Sequence, residues 1–205
     1  MPKQTFYNLP EEKRERLIDA AIDEFTIHSL REASITNIIK QAEIPRGSFY
    51  QYFEDLDDLF FYLIKRFVIN LSELTLSIFE ETEGDFQRVT VAYAETYIDF
   101  VMNSEKSSFY KVIYLNMNSR VKRKIFNAII QSFKDSPAIS NKFDLNSSLN
   151  LKFENTTEHI DLIRLILGML NQTISEGFSE DWTTETTKEL FNKRLDWVSY
   201  GVINA

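Results

Sequence analysis

The sequence predicts an all-α protein of about nine helices, with a three-helix unit at the N-terminus and a larger helical domain after it. Only five glycines and four prolines are spread over 205 residues, so long segments are uninterrupted. The chain has no Asn-Gly or Asp-Gly pair of the kind that marks a β-hairpin. Apolar residues instead recur three and four positions apart, which is the spacing of one face of a helix.

The first helix is expected between Pro10 and His28. Proline suits the first helical turn, and the acidic pair that follows it complements the positive helix N-terminus. Leu17, Ala21 and Phe25 recur at four-residue spacing and predict one apolar face.

Two short helices should follow the first one. Ser34 is expected to cap a helix that ends near Ala42, because Pro45 disfavours helical backbone in the residue before it. The next helix is predicted from Arg46 to Tyr52. Two helices of about two turns joined by a tight turn have the helix-turn-helix layout. Their small shared core should consist of Ile38, Ala42, Ile44 and Phe49.

Asp55 is predicted to cap a long fourth helix, which Gly84 ends. Further helices are predicted at 86–102, 107–116, 119–134, 157–178 and 184–202. The stretch 135–155 is rich in asparagine, serine and aspartate and indicates a loop.

The segment from residue 35 to residue 53 carries the candidate DNA-binding chemistry. A recognition helix presents its N-terminal residues to base edges in the major groove. Arg46 can pair with guanine and Gln51 with adenine, while the small residues Gly47 and Ser48 allow close approach of the backbone. Tyr50 and Tyr52 suit phosphate contacts.

The order of these elements resembles the TetR family of transcriptional regulators over roughly residues 10–65, and so does the run Gly-Ser-Phe-Tyr-Gln-Tyr-Phe at 47–53. The resemblance implies a DNA-binding domain at 1–55 and a ligand-binding and dimerisation domain at 56–205. It implies a homodimer on a palindromic operator, and a repressor that a small-molecule effector releases. Under this resemblance the DNA-binding residues are Ser34, Thr36, Arg46, Gly47, Ser48, Tyr50, Gln51 and Tyr52.

Three positions depart from the family pattern. Ser29 stands where a glycine usually follows the first helix, and Glu43 replaces a small turn residue that is often glycine. Leu56 occupies the place of a phosphate-binding lysine. These departures predict a small strain in the turns and the loss of one contact with the DNA backbone.

The net charge of −8 counts against a general polyanion binder. Residues 1–55 alone contain seven lysines and arginines against ten aspartates and glutamates. DNA binding therefore depends on where the cations lie, and we expect Lys3, Lys13, Arg14, Lys40 and Arg46 to face the duplex. An acidic remainder predicts weak non-specific binding with a shallow salt dependence.

The C-terminal part is expected to supply an effector pocket and a dimer interface, both by resemblance. Aromatic rings in the middle of the chain suit a lipophilic or aromatic effector, although rings that simply fill the core explain most positions as well. The candidate pocket residues are Tyr93, Tyr97, Phe100, Phe109, Tyr114, His159 and Ile163. The candidate dimer residues, on two apolar terminal helices, are Leu167, Leu170, Ile174, Phe191, Leu195, Val198 and Val202.

Several other functions find little support in the sequence. With no cysteine and two histidines, few acid–base or nucleophilic groups exist for an enzyme, and neither a metal nor a cofactor is expected. A haem ligand at His159 stays open as a less favoured alternative. The absence of a long apolar segment or a signal sequence predicts a cytoplasmic protein without a membrane partner. The rival to a regulator is a helical carrier or sensor of lipophilic molecules that acts through protein contacts.

Overall fold

A computed structural model describes residues 2–82, 85–116 and 156–201, together with isolated helical positions at 123, 127 and 131. Every regular element in these ranges is a helix, which confirms the all-α prediction. The helices are α1 (Gln4–Tyr7), α2 (Glu11–Ile27), α3 (Ile35–Gln41), α4 (Arg46–Tyr52), α5 (Leu56–Glu81), α6 (Phe86–Asn103), α7 (Ser107–Asn116), α8 (Thr156–Ser179) and α9 (Thr184–Tyr200).

The sequence predicts most helix ends within one or two residues, and one expected capping group lies where it was placed. The Asp55 carboxylate accepts the N–H of Asp58 at 2.7 Å and opens α5, as predicted. Asp85 caps α6 in the same way through the N–H of Arg88. The short helix α1 was not predicted, and the segments expected at 119–134 and 135–155 lie largely or wholly outside the described residues.

Helices α2, α3 and α4 enclose the small core that the sequence predicts. Ile38, Ala42 and Phe49 have no exposed surface, and Ile44 packs against them. The first turns of α5 complete this core, since Phe60 packs edge-on against Phe25 with ring centroids 5.3 Å apart. The packing of the N-terminal unit therefore continues past residue 55 into α5.

The C-terminal helices form a second packed layer around α6, α8 and α9. Helix α7 contacts α2 on one side and α6 and α8 on the other, so it joins the two layers. At its N-terminal end the Lys106 ammonium lies 3.5 Å from the Asp19 carboxylate on α2. No helix in the described ranges combines the length and the apolar character needed to cross a bilayer.

Candidate nucleic-acid interface

Helix α4 is anchored on one side and accessible on the other. Phe49 is completely buried, whereas Arg46, Gly47 and Gln51 are exposed and the Tyr50 side chain is 43% exposed. A Cβ atom added to Gly47 would meet no other atom of the chain within 4 Å. The N-terminal half of α4 therefore offers an unobstructed surface to a partner.

The remaining predicted DNA-binding residues lie around this surface. Thr36 is exposed on α3, while Ser48 and Tyr52 are partly buried. Ser34 occupies the N-cap position of α3 as expected, but its hydroxyl makes no capping hydrogen bond. The expected capping role of that hydroxyl is therefore wrong, and the start of α3 is instead held by a carboxylate from another helix, which accepts the backbone N–H of Ser34.

Both ends of α3 are held by side chains of α2. The buried carboxylate of Glu24 accepts the N–H of Ser34 at 2.7 Å and the side-chain amide of Asn37 at 3.1 Å. About two turns earlier on α2, the Arg16 Nε donates to the carbonyl of Ala42 at 3.0 Å, at the other end of α3. Sequence reasoning missed both roles, although a charged residue on the apolar side of α2 was a signal for Glu24.

The three departures from the family pattern behave differently. Glu43 has a φ of 54°, so its backbone is left-handed, as the replacement of a glycine suggested. Ser29 does not have a positive φ, and its carbonyl accepts the N–H of Glu32 at 2.9 Å. Leu56 is partly buried against the core and offers no charge to a phosphate.

The cations near α4 fall into two groups: those that are bound by other groups of the protein, and those that are exposed and unbound, which we call open cations. Arg16 is held by Ala42 and lies 3.4 Å from Glu43. Lys3 donates to the carbonyl of Tyr50 at 2.8 Å. In the described part of the N-terminal unit, Lys13, Arg31, Lys40 and Arg46 are exposed cations whose side chains make no hydrogen bond or ion pair within the protein.

Three of the predicted pocket residues meet inside the C-terminal domain. The rings of Tyr93 and Tyr97 stack with centroids 5.8 Å apart, and the Tyr97 and Tyr114 hydroxyls lie 2.5 Å apart. The Tyr114 hydroxyl donates to Asn171 at 3.0 Å. Burial raises the pKa of all three tyrosines, so their hydroxyls stay protonated near neutral pH. The network is a small polar site in an apolar core.

The other predicted pocket residues are dispersed. Phe100 and Phe109 both pack against Tyr110, on the α6–α7 side of the core. Ile163 is partly buried on α8, and the side chain of His159 lies outside the described residues. An open cleft of about 440 Å³ lies elsewhere, between the ends of α6 and α8 and the starts of α7 and α9. None of the predicted pocket residues lines it.

The predicted dimer residues are mostly internal to the protomer. Leu170, Ile174, Phe191 and Leu195 are at most 1% exposed, so they hold α8 and α9 to their own core and cannot reach a partner. Leu167 is partly buried, Val198 is 43% exposed, and Val202 lies outside the described residues. The exposed apolar side chains on these two helices are Leu165, Val198, Trp197 and Tyr200.

No set of three or more histidine, aspartate or glutamate side chains in the described ranges could hold a metal ion. A short accessible helix on a helix-turn-helix scaffold, followed by a helical domain with a buried polar site, is the arrangement expected of a helix-turn-helix regulator. Family models place the chain within that class. The model of bacterial regulatory proteins of the tetR family matches residues 17–63, and the tetracyclin repressor-like C-terminal domain matches residues 85–202, more than half of the chain. The chain belongs to the TetR family of DNA-binding transcriptional regulators.

Individual relatives agree with this assignment. Over 94 residues, or 44% of the chain, it is 35% identical to the uncharacterized HTH-type transcriptional regulator YdgC of Bacillus subtilis (strain 168), and the match spans 48% of that protein. FadR from Bacillus subtilis in complex with stearoyl-CoA has the same fold, with a TM-score of 0.63 at 16% identity over 92% of this chain and 99% of that one. FadR from Bacillus halodurans gives a TM-score of 0.64 at 14% identity, over 90% and 97% of the two chains.

Proposed function

We propose that this regulator is a repressor whose α4 helices, one from each of two copies, read a palindromic operator, and that a lipophilic effector releases it. The observation that carries the proposal is the unobstructed N-terminal half of α4. Arg46 and Gly47 in this half, and Gln51 near the other end, are exposed on a helix whose opposite side is fixed by Phe49. An accessible helix on a rigid support meets the requirement for entry into the major groove.

We assign each exposed side chain on this surface a DNA-binding role. The Arg46 guanidinium suits bidentate pairing with guanine, and the Gln51 amide suits adenine. Thr36 and Tyr50 are placed for contacts with phosphate, with Ser34, Ser48 and Tyr52 at the edge of the same surface. The open cations Lys13 and Lys40 supply the electrostatic part of the affinity.

Two copies are needed because a palindrome presents the same half-site twice, one helical turn apart. We assign the contact between copies to exposed apolar side chains of α8 and α9, namely Leu165, Trp197, Val198 and Tyr200. Gly168 supports this assignment, since no atom of its own chain lies within 4 Å of a Cβ placed there. Division of the chain into a reading domain at 1–55 and a regulatory domain at 56–205 is part of the same proposal.

The effector site is assigned to the surroundings of Tyr93, Tyr97 and Tyr114. Protonated hydroxyls in an apolar core suit a ligand with a long apolar body and few polar groups. FadR from Bacillus subtilis, which shares this fold, holds stearoyl-CoA, and a ligand of that kind is the first to test here. Tyr114 lies on α7, which also packs on α2, so a ligand that prefers one placement of α7 changes the placement of the reading domain.

Binding of DNA fragments by the full chain tests the reading role. The wild-type protein would select its preferred duplex from a randomised library, and Arg46→Ala would then be compared with Arg31→Ala, which removes the same charge from an exposed position in the loop between α2 and α3. Arg46→Ala should lose about 1–3 kcal/mol on the selected duplex and relax the preference at one base pair. Unchanged base preference in Arg46→Ala removes that residue from the reading role.

The repressor and effector parts need separate measurements. In vitro transcription from a promoter that contains the selected duplex should fall when the protein is added, and an increase would indicate an activator. Stearoyl-CoA should restore transcription, with stearate and free coenzyme A as controls for the acyl and nucleotide parts. If none of the three weakens DNA binding, this class of effector is ruled out.

A further inference from the structure

The N-terminal segment, residues 2–7, lies against the C-terminal end of α4 and makes three hydrogen bonds to it. The Lys3 ammonium donates to the carbonyl of Tyr50 at 2.8 Å, and the Lys3 N–H donates to the carbonyl of Tyr52 at 2.8 Å. The Thr5 hydroxyl donates to the carbonyl of Gln51. Three consecutive carbonyls of α4 thus receive donors from residues close to the start of the chain.

These bonds complete the hydrogen bonding at the end of α4. The last four carbonyls of a helix have no partner inside it. In α4 the first of them, on Phe49, accepts the N–H of Phe53 at 2.9 Å, and the N-terminal segment supplies the other three. The positive ammonium of Lys3 also interacts favourably with the negative pole of the helix, which lies at this end.

The segment is fixed in place by Phe6, which has no exposed surface. Its ring lies 4.9 Å from that of Phe53 and 6.3 Å from that of Tyr52, measured between centroids. It also meets the ring of Tyr62 on α5 at 5.1 Å. Phe6 therefore joins the N-terminal segment to both the end of α4 and the start of α5.

We propose that Lys3 and Thr5 are positioning residues for DNA reading, and that residues 2–7 form a clamp that sets the orientation of α4. The proposal rests on the assignment of α4 as the reading helix. Seven residues are too few for a helix to persist without external support. Helix α3 supports α4 from one side, and the clamp supports it from the end opposite to Arg46.

The clamp gives Lys3 a role that differs from that of an ordinary surface cation. Its ammonium is bound to a carbonyl of the protein, so it contributes to operator recognition through the placement of α4. A lysine that contacts phosphate strengthens binding to every duplex alike and steepens the salt dependence. A positioning lysine instead strengthens binding to the preferred duplex over others.

Thr5→Val is the cleanest test because it removes one donor without changing the charge, and Thr5→Ser restores the hydroxyl. In the absence of DNA, Thr5→Val should speed hydrogen exchange at the amides of α4, and Thr5→Ser should not. On the duplex selected by the wild-type protein, Thr5→Val should bind about fivefold more weakly, with binding to a scrambled duplex unchanged. Circular dichroism and a thermal melt establish that each variant is folded.

A comparison of Lys3→Met with Lys13→Met distinguishes a lysine that positions α4 from a lysine that contacts phosphate. Lys3→Met should lower the ratio of preferred to scrambled binding and leave the salt slope near the wild-type value, whereas Lys13→Met should lower both affinities together. The proposal is overturned if Lys3→Met loses the same affinity for both duplexes and its binding depends less steeply on salt. It is also overturned if hydrogen exchange at the amides of α4 is unchanged in Thr5→Val. The exchange measurement needs no DNA, so it tests the clamp even if Arg46→Ala shows that α4 does not read bases.

Discussion

The backbone N–H of Ser34 donates to the carboxylate of Glu24 at 2.7 Å, which ties the start of α3 to the last turn of α2. Glu24 is only 5% exposed, and Asn37 shares the same carboxylate. A buried carboxylate of this kind is stable only while hydrogen-bond donors surround it. The interaction therefore holds the helix-turn-helix unit together and makes that unit sensitive to any change at Glu24.

Glu24→Ala should destabilise the protein by about 2 kcal/mol, because the N–H of Ser34 and the amide of Asn37 both lose their acceptor. Glu24→Gln keeps an acceptor and should cost less. Chemical denaturation of the purified variants measures both values. Glu189→Gln, at an exposed position inside α9, is the matched control and should have little effect. Equal stability of Glu24→Ala and the wild type would contradict the role assigned to this carboxylate.

Glu43→Gly should stabilise the protein by about 1 kcal/mol. The φ of 54° at Glu43 is unfavourable for a residue with a Cβ atom and costs nothing for glycine. The contact that is lost, 3.4 Å to Arg16, involves a 74% exposed carboxylate and is worth little. A rise in the thermal midpoint checks the prediction, and a fall would show that the contact with Arg16 outweighs the strain.

The sequence predicts the local elements of this fold far better than the contacts between them. Asp55 and Ser34 could be placed at helix starts from residue type and spacing, but the carboxylate that serves Ser34 comes from Glu24, ten residues earlier. The same limit applies to the dimer residues. Apolar periodicity identifies Phe191 and Leu195 as one face of a helix, yet it cannot distinguish a face buried in the protomer from one buried by a partner. The N-terminal clamp was missed because four helical residues are too few to show any periodicity.

Gly177→Ala should destabilise the protein by about 1–2 kcal/mol, since a Cβ there would lie 2.7 Å from the Thr187 hydroxyl oxygen. Thr187 is fully buried and already donates to the carbonyl of Thr183, so it has little room to move. Gly168→Ala on the same helix meets no atom of its own chain and is the matched control. Its protomer should be as stable as the wild type or slightly more so. Denaturation at matched protein concentrations compares the stability of the two variants. If both lose the same stability, the close approach of α8 and α9 at Gly177 is not the cause of the loss.

Glu176 gives the stability a dependence on acidic pH. Burial opposes its ionisation, but hydrogen bonds from Gln172 and Arg194 outweigh burial and lower the pKa of this carboxyl below its usual 4.5. A lowered folded-state pKa adds stability above the unfolded pKa, and this stability is lost as the pH falls through the folded value. Glu176→Gln should therefore cost about 1 kcal/mol at pH 7 and progressively less below pH 4.5. Denaturation of the variant and the wild type across this range measures the difference, with the exposed Glu180→Gln as control. A difference that stays constant with pH would contradict the assignment.

Gly47→Ala should have opposite effects on the stability of the free protein and on its affinity for DNA. Nothing in the chain lies within 4 Å of the added methyl group, and alanine favours a helix over glycine, so the free protein should be stabilised by up to about 1 kcal/mol. On DNA the same methyl group would stand between α4 and the duplex if the backbone approaches closely at Gly47. The variant should then melt at a higher temperature and bind the preferred duplex about tenfold more weakly. Thr157→Ala, at an exposed position of α8 that belongs to neither proposed binding surface, should leave the DNA affinity unchanged. Full affinity in Gly47→Ala would place the duplex away from this part of the helix and transfer the reading role to Gln51 and the residues beyond it.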